Sequence, residues 1–331
     1  MGLTMNVGIV GCGLIGKKRA LTLGQHNLLL AVDCDIKRAE TIAALNGQIK
    51  VSTDFNDIIK DPRIDIVIIS TTNDMLAPIS LLAVKAGKHV LVEKPAARNF
   101  KEIEDVIKIA KKNKVMVKVG FNLRYHPALR KAKEIIDSGK IGELMFMRAC
   151  YGHGGRIGYN KEWRSNPKIS GGGELIDQGV HLIDLSRWFF GDFVSVKGFS
   201  HTYFWDMSVD DNAFLSLRTK KQQVAWLHVS CTEWKNMFSL EIYGKAGKIK
   251  IDGLGGSYGI EKLIYYQMFP QMGLPETTVW EYPEEDKSWN LEFEAFVEAI
   301  NTGRALDGDI NDAYEALKIV DEIYAGSGGM R

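Results

Sequence analysis

Asp177 and His181 stand four residues apart in GGGELIDQGVH (171–181), an acid and a base placed just after three glycines. Three arrangements compete for such a pair: a helix entry with solvated polar residues, half of a D-x-x-x-H metal site, or a pair held for proton transfer. Residues four apart share a helix face, so Asp177, His181 and also Asp184 are expected to point roughly the same way. A metal would need further ligands. No third one follows at a zinc-like spacing, and Cys12, Cys34, Cys150 and Cys231 contain no C-x-x-C pair, so no metal is expected. Proton transfer uses both residue types: histidine titrates near neutrality, and a positioned base is worth roughly 10²–10⁴-fold in rate. A further group stands in Glu93-Lys94-Pro95, which ends the apolar run HVLV. Proline restricts the residue before it to extended backbone and so aims Lys94. A partly buried lysine there would donate or relay a proton; a merely exposed one would do neither.

Such a base serves a hydride acceptor, and the first third of the chain is built to hold one. MNVGIV (5–10) reads as a buried strand running into Gly11-Cys12-Gly13-Leu14-Ile15-Gly16, with a helical stretch behind it. A second apolar run then ends in Asp33, 20 residues after Gly13 (33 − 13). Strand, G-x-G-x-x-G, helix and distant acid together make the dinucleotide fingerprint. Gly11 permits the turn, Gly13 lets backbone approach a pyrophosphate, and Gly16 lets the helix pack on the strand. The helix N-terminus adds N–H donors and positive potential. Asp33 would accept hydrogen bonds from the adenosine ribose and repel a 2′-phosphate, favouring NAD over NADP, a preference that Arg38 and Lys37 soften. Strand–helix alternation continues through IDIVIIS, HVLVEKP and VMVKVG, which predicts a doubly wound parallel sheet over residues 1–121. Ligands of such sheets sit beyond the carboxyl ends of the strands, which places Thr71, Asn73, Glu93 and Lys94 on the rim shared by the glycine loop.

With these motifs assembled, the chain resembles the Gfo/Idh/MocA family of oxidoreductases. The resemblance rests on Gly11-x-Gly13-x-x-Gly16, Glu93-Lys94-Pro95 and Gly171-Gly172-Gly173-x-x-x-Asp177-x-x-x-His181. Gly120-Phe121-Asn122-x-Arg124-Tyr125-x-Pro127, Trp163-Arg164 and Glu241-Ile242-Tyr243-Gly244 extend it over nearly the whole chain. One stretch departs: where the family commonly has Thr-Pro-Asn-x-x-His, this chain has Thr71-Thr72-Asn73-Asp74-Met75-Leu76. The resemblance implies an α/β second domain over 122–331 on a large open, mostly antiparallel sheet, forming a homodimer or homotetramer through that sheet. LMFMRACY, NAFLSLRT, QQVAWLHVSC and FSLEIYG do read as strands, and two helices with 3.6-residue periodicity close the chain. The resemblance also implies that Lys94, Asp177 and His181 are catalytic. Asn122 and Arg164 join the candidates for the cofactor. Arg124, Tyr151, Arg156 and Trp163 join Lys94, Asp177 and His181 as candidates for the substrate.

The expected activity is NAD(H)-dependent hydride transfer at a secondary alcohol or ketone of a sugar or nucleotide-linked sugar. An inositol or polyol dehydrogenase and an NAD-dependent glycosidase are the alternatives within the family. The loop YGHGGRIGYNKEWRSNPKISGGG looks like a substrate lid, and its several cations favour an anionic, nucleotide-linked sugar. Lys plus Arg (42) against Asp plus Glu (41) gives a net charge of +1, which supplies no field for nucleic acid or an anionic membrane. Lys-Lys-Arg at 17–19 and the basic run at 111–114 read as solvated helix faces. No apolar run approaches the ~18 residues of a membrane span. The opening MGLTMN lacks the pattern of a secretory leader, and unpaired cysteines fit a reducing compartment, so a cytoplasmic protein is expected.

Overall fold

A computed structural model describes residues 4–47, 49–271 and 273–328. The chain forms two compact units, the first from Met1–Phe121, Lys168–Gly171 and Trp289–Leu317, the second from Asn122–Pro167, Gly172–Ser288 and Lys318–Arg331. The first unit thus draws two stretches from beyond residue 121.

In the first unit the elements are β1 (Asn6–Val10), α1 (Leu14–Leu21), β2 (Asn27–Val32), α2 (Ile36–Asn46), β3 (Lys50–Ser52), α3 (Asn56–Lys60), β4 (Ile66–Ile69), α4 (Asn73–Lys85), β5 (His89–Val92), α5 (Glu104–Asn113) and β6 (Val117–Val119). The six strands are parallel, in the order β3-β2-β1-β4-β5-β6. Val7, Ile9, Ile66, Ile68 and Leu91 are at or near complete burial, as continuous apolar runs covered on both sheet faces require. Phe293, Phe296 and Val297 from the chain's later part complete that core. In register, Val10 lies beside Val32 and Ile69, and Ile69 beside Val92. The glycine loop, residues 70–73 and Glu93-Lys94 therefore leave the sheet at the same end.

The second unit begins with α6 (Pro127–Asp137), β7 (Leu144–Gly152) and the short α7 (Pro167–Ser170), whose last three residues fall in the first unit. A π-helical turn, Leu175–Gly179, leads into α8 (Val180–Phe190). The remaining strands are β8 (Phe193–His201), β9 (Asn212–Thr219), β10 (Val224–Ser230), β11 (Met237–Gly244), β12 (Gly247–Asp252), β13 (Glu261–Gln267) and β14 (Glu276–Tyr282). Helix α9 (Ser288–Thr302) then lies in the first unit from Trp289 onward, and α10 (Ile310–Gly326) is divided between the units after Leu317. The eight strands order as β14-β13-β12-β11-β7-β10-β9-β8, antiparallel except for the β10–β7 pair. On β7, Met147, Ala149 and Tyr151 are buried while Phe146 and Arg148 are exposed, so one sheet face packs under α6 and α8 and the other is open. Among the described residues no helix is long and apolar enough to cross a membrane.

Candidate active site

The glycine loop shows three different steric demands. Gly11 has φ +91°, and a Cβ there would sit 2.5 Å from the Ser70 carbonyl oxygen. A Cβ on Gly16 would meet the Gly11 carbonyl oxygen at 1.9 Å, so Gly16 is what lets α1 close on the loop. Gly13, the N-cap of α1, makes no side-chain capping bond, and a Cβ there would enter open space. That is a helix N-terminus with clear access, as a pyrophosphate requires. Leu14 lies beside it with 84% exposure, and Ile15 is half-buried.

Asp33 is buried, with Oδ2 accepting from the Cys12 amide (2.7 Å) and Oδ1 from the Asp35 amide (2.9 Å). Its carboxylate thus fastens the end of β2 to the glycine loop, a bond the acid's spacing did not announce. Burial, then the Asp33 charge, pushes the Cys12 thiol up to about 12. Arg38 is exposed on the first turn of α2, 3.6 Å from Asp35. Thr71 donates to the Thr72 carbonyl, and the buried Asn73 at the start of α4 donates to the Ser170 carbonyl at 2.8 Å. Thr72 adopts φ −67°, the angle a proline ring imposes, so threonine keeps the loop path where the family places proline. Leu76, at the family's histidine position, is fully buried.

The Glu93 side chain turns inward: Arg19 Nε donates to Oε1 at 2.7 Å, and Arg19 Nη1 lies 2.7 Å from Glu292 Oε2. Arg19 has no exposure, so Lys-Lys-Arg at 17–19 is not a wholly solvated face. The next residue, Lys94, is half-buried, and its peptide bond to Pro95 is cis.

The three glycines prove to be close-packing positions, Gly172 and Gly173 in the second unit and Gly171 in the first. A Cβ on Gly172, at φ +153°, would meet the Tyr324 hydroxyl at 2.2 Å, and one on Gly173 the Asp210 carbonyl oxygen at 1.9 Å. Gly171 packs on Arg98 in the same way. The buried Asp210 accepts from the Gly173 amide (2.9 Å), the Leu175 amide (2.8 Å) and the Tyr324 hydroxyl (2.7 Å). It thereby clamps the start of the π-helical turn that carries Asp177. Asp177 is half-buried with Oδ2 3.2 Å from Arg164 Nε, and His181 is buried against Tyr151, ring centroids 6.1 Å apart. The π turn breaks the plain i, i+4 geometry, and Asp184 faces Arg124 instead.

Around that pair the sequence concealed much. Tyr151 also packs on Phe238 and Tyr258. Its hydroxyl is held well above the usual tyrosine range by burial, then by Tyr258. Buried Glu174 lies 3.5 Å from His153. Burial pulls the His153 imidazole down, but the hydrogen bond and charge of Glu174 outweigh it and raise it overall. Arg164 stacks on Trp163 at 4.6 Å and also approaches Glu162. Arg156 pairs with Glu162 at 2.7 Å. Two of the loop's cations, Arg156 and Arg164, thus stand against carboxylates of the same unit. Arg124 is buried in a bidentate pair with Asp184 (2.8 and 2.6 Å), and Asn122 donates to the Ser288 hydroxyl at 3.0 Å. Both side chains hold the unit together.

Asp210 gives a pH signature. Burial pushes its carboxyl up to about 6, against the pull of the Tyr324 hydroxyl and the two amides. The folded state therefore keeps a proton that the unfolded state has lost between about pH 4 and 6. Stability from this group is full below that window and falls by up to about 3 kcal/mol as pH rises through it. Denaturation at pH 4 and pH 7 should show wild type losing ground against Asp210→Asn by that order; a pH-independent difference would refute the assignment.

Residues 5–121 match a family model described as an oxidoreductase family with an NAD-binding Rossmann fold, and residues 129–250 match the GFO/IDH/MocA C-terminal domain. Levoglucosan dehydrogenase of Pseudarthrobacter phenanthrenivorans is 31% identical over 212 residues, covering 60% of this chain but only 54% of that protein. An uncharacterised protein of Saccharomyces cerevisiae is 31% identical over 267 residues, 75% of this chain and 74% of its own length. A levoglucosan dehydrogenase structure in complex with NADH and L-sorbose superposes with a TM-score of 0.89 at 24% identity, over 99% of this chain and 97% of that one. That last likeness is one of fold.

Proposed function

Since the chain belongs to the Gfo/Idh/MocA oxidoreductase family, we propose that it is an NAD(H)-dependent dehydrogenase acting on a secondary alcohol or ketone of an uncharged sugar or polyol. One observation carries this reading: His181 is buried against Tyr151 beside an Asp177 held by Arg164, in a chain whose glycine loop leaves Gly13 open. Bound NAD⁺ would supply the hydride acceptor. Gly13 and the N-terminus of α1 would take the pyrophosphate, and Asp33 the ribose. His181 and Lys94 are the candidates to take the proton that leaves the hydroxyl. Asp177 would accept hydrogen bonds from neighbouring hydroxyls, with Tyr151 and Trp163 as apolar walls. A nucleotide-linked sugar fits less well, because Arg156 and Arg164 already face carboxylates. We place the enzyme in the cytoplasm, as four unbridged cysteines suggest. Assembly through the open sheet face is supported by exposed Phe146, Phe199 and Trp226.

The test is reduction of NAD⁺ at the nicotinamide absorbance band across a panel of free sugars, inositols and nucleotide sugars, with product analysis. Turnover of a neutral polyol without release of a glycone supports the reading; free sugar formed without net NADH would replace it with glycosidase chemistry.

The loop makes a paired prediction. Gly16→Ala forces its methyl into the Gly11 carbonyl and should cost about 1–3 kcal/mol or more in denaturation. Gly13→Ala should leave stability within about 0.5 kcal/mol. It should weaken NADH binding roughly tenfold, or about 1.4 kcal/mol, measured by fluorescence titration. Undiminished NADH binding by Gly13→Ala would place the cofactor elsewhere.

A further inference from the structure

Cys150 on β7 and His228 on β10 are direct partners in the one parallel pairing of the second sheet. Both belong to the alternating set of the open face, where neither side chain meets the helical layer. Glu233, in the turn after β10, folds back over them. Cys150 Sγ lies 3.3 Å from His228 Nδ1 and 4.0 Å from Glu233 Oε1, and His228 Nδ1 lies 3.7 Å from Glu233 Oε1. Ligand distances of about 2.3 Å to sulfur and about 2.0–2.2 Å to nitrogen and oxygen put donor atoms roughly 3.3–3.6 Å apart around a tetrahedral ion. The three atoms already stand near that spacing.

The surroundings are built for it. His228 Nε2 faces Asn212 Oδ1 at 3.0 Å. The Asn212 amide is oriented because its Nδ2 donates to Asp211 Oδ1 (3.0 Å) and to the Thr232 hydroxyl (2.9 Å), and a carboxylate can only accept. His228 therefore carries its proton on Nε2 and turns the Nδ1 lone pair toward Cys150 and Glu233. A histidine ligand whose second nitrogen donates to a fixed carbonyl is the arrangement that orients metal-binding imidazoles. Phe214 stacks on the ring at 4.4 Å and fixes its plane. Gly152 leaves room for the glutamate, since a Cβ there would lie 2.6 Å from Glu233 Cγ. In the single chain His228 and Glu233 keep 26% and 23% of their side-chain surface exposed.

We propose that Cys150, His228 and Glu233 form a site for one divalent transition ion, Zn²⁺ by the mixed sulfur, nitrogen and oxygen donors, with water in the fourth position. Binding forms a sulfur–zinc bond and releases the Cys150 thiol proton to solvent, and no electron is exchanged. The ion would tie the 231–236 turn to β7 and β10. The site is separate from the proposed reaction chemistry.

The experiment is titration of the full-length, chelator-treated protein with Co²⁺, followed by displacement with Zn²⁺. One equivalent should bind with a thiolate-to-cobalt charge-transfer band that Zn²⁺ abolishes. Cys34→Ser, which removes the exposed thiol, should keep the band, and Cys150→Ser should lose it. His228→Gln should weaken binding at least tenfold. Asn212→Ala should weaken it about 10–100-fold while keeping the band. A wild-type protein without the band, or a band that survives in Cys150→Ser, overturns the site. Should Cys150→Ser fail to fold, the wild-type spectrum together with His228→Gln decides it alone.

Discussion

Replacing His181 with alanine is expected to lower turnover by about 10²–10⁴-fold while NADH binding stays within a factor of a few. The expectation comes from where the residue sits. His181 is buried on the first turn of α8, with one ring face set by Tyr151. The π-helical turn before it is clamped by Asp210 and by glycines that admit no side chain. A side chain so constrained loses little freedom on meeting a substrate, which suits a base that must hold a proton position. Lys94→Ala should give a loss of the same order, since the lysine follows the rigidly paired Glu93 directly in the chain. The double variant is the sharper measurement. If the two groups handle one proton, their effects will be far from additive, and the pair will cost little more than the worse single change. Additive losses would mean separate roles, and full activity in both singles would remove proton transfer from this pair. Asp177→Asn should raise KM more than it lowers kcat, because its assigned work is binding hydroxyls with help from Arg164.

What the sequence disclosed depended on the range of the interactions involved. The parallel sheet, the glycine loop and Asp33 are local patterns: apolar runs, a turn and a fixed spacing. The π turn was invisible because the glycine-to-His181 spacing also reads as an ordinary helix, and its cause lies at Asp210 and Tyr324, far along the chain. Arg124 is a substrate candidate by its motif, whereas the ion pair it makes could not be read there, since Asp184 lies 60 positions away. The loop cations Arg156 and Arg164 look available in sequence because residue spacing does not show that Glu162 and Asp177 face them in space. Cys150 and His228 are 78 residues apart, and only strand pairing brings them together. In each of these cases a charge or ligand found its complement through sheet register or helix packing, which residue spacing does not encode.

Replacing Arg19 with methionine is expected to destabilise the protein by about 3–5 kcal/mol, the cost of leaving buried carboxylates without their cation. Arg19 stands on α1 one turn after the glycine loop and has no exposed surface. Its guanidinium reaches Glu93 at the end of β5 and Glu292 on α9, while Lys118 on β6 reaches Glu292 from the other side at 3.1 Å. Trp289 covers Arg19 with its ring at 4.3 Å. Two cations and two anions thus close a neutral network that joins four elements of the first unit. The planar fork serves two carboxylates at once, so Arg19→Lys should recover only part of the loss. The informative control is Arg19→Met with Glu93→Gln, which removes one charge of each sign and should recover a large share of the stability. Because the network is buried, its contribution should hardly change with salt, unlike that of the exposed Lys245–Glu143 pair. Denaturant unfolding at low and high ionic strength separates the two. A loss below about 1 kcal/mol for Arg19→Met, the range of a surface pair, would show that solvent reaches these carboxylates. The network also bears on chemistry, because Glu93 immediately precedes Lys94: Arg19→Met should lower kcat even under conditions where the variant remains folded. A variant that is destabilised yet turns over at the wild-type rate would show that Lys94 is aimed by Pro95 and its own surroundings, with Glu93 serving stability alone.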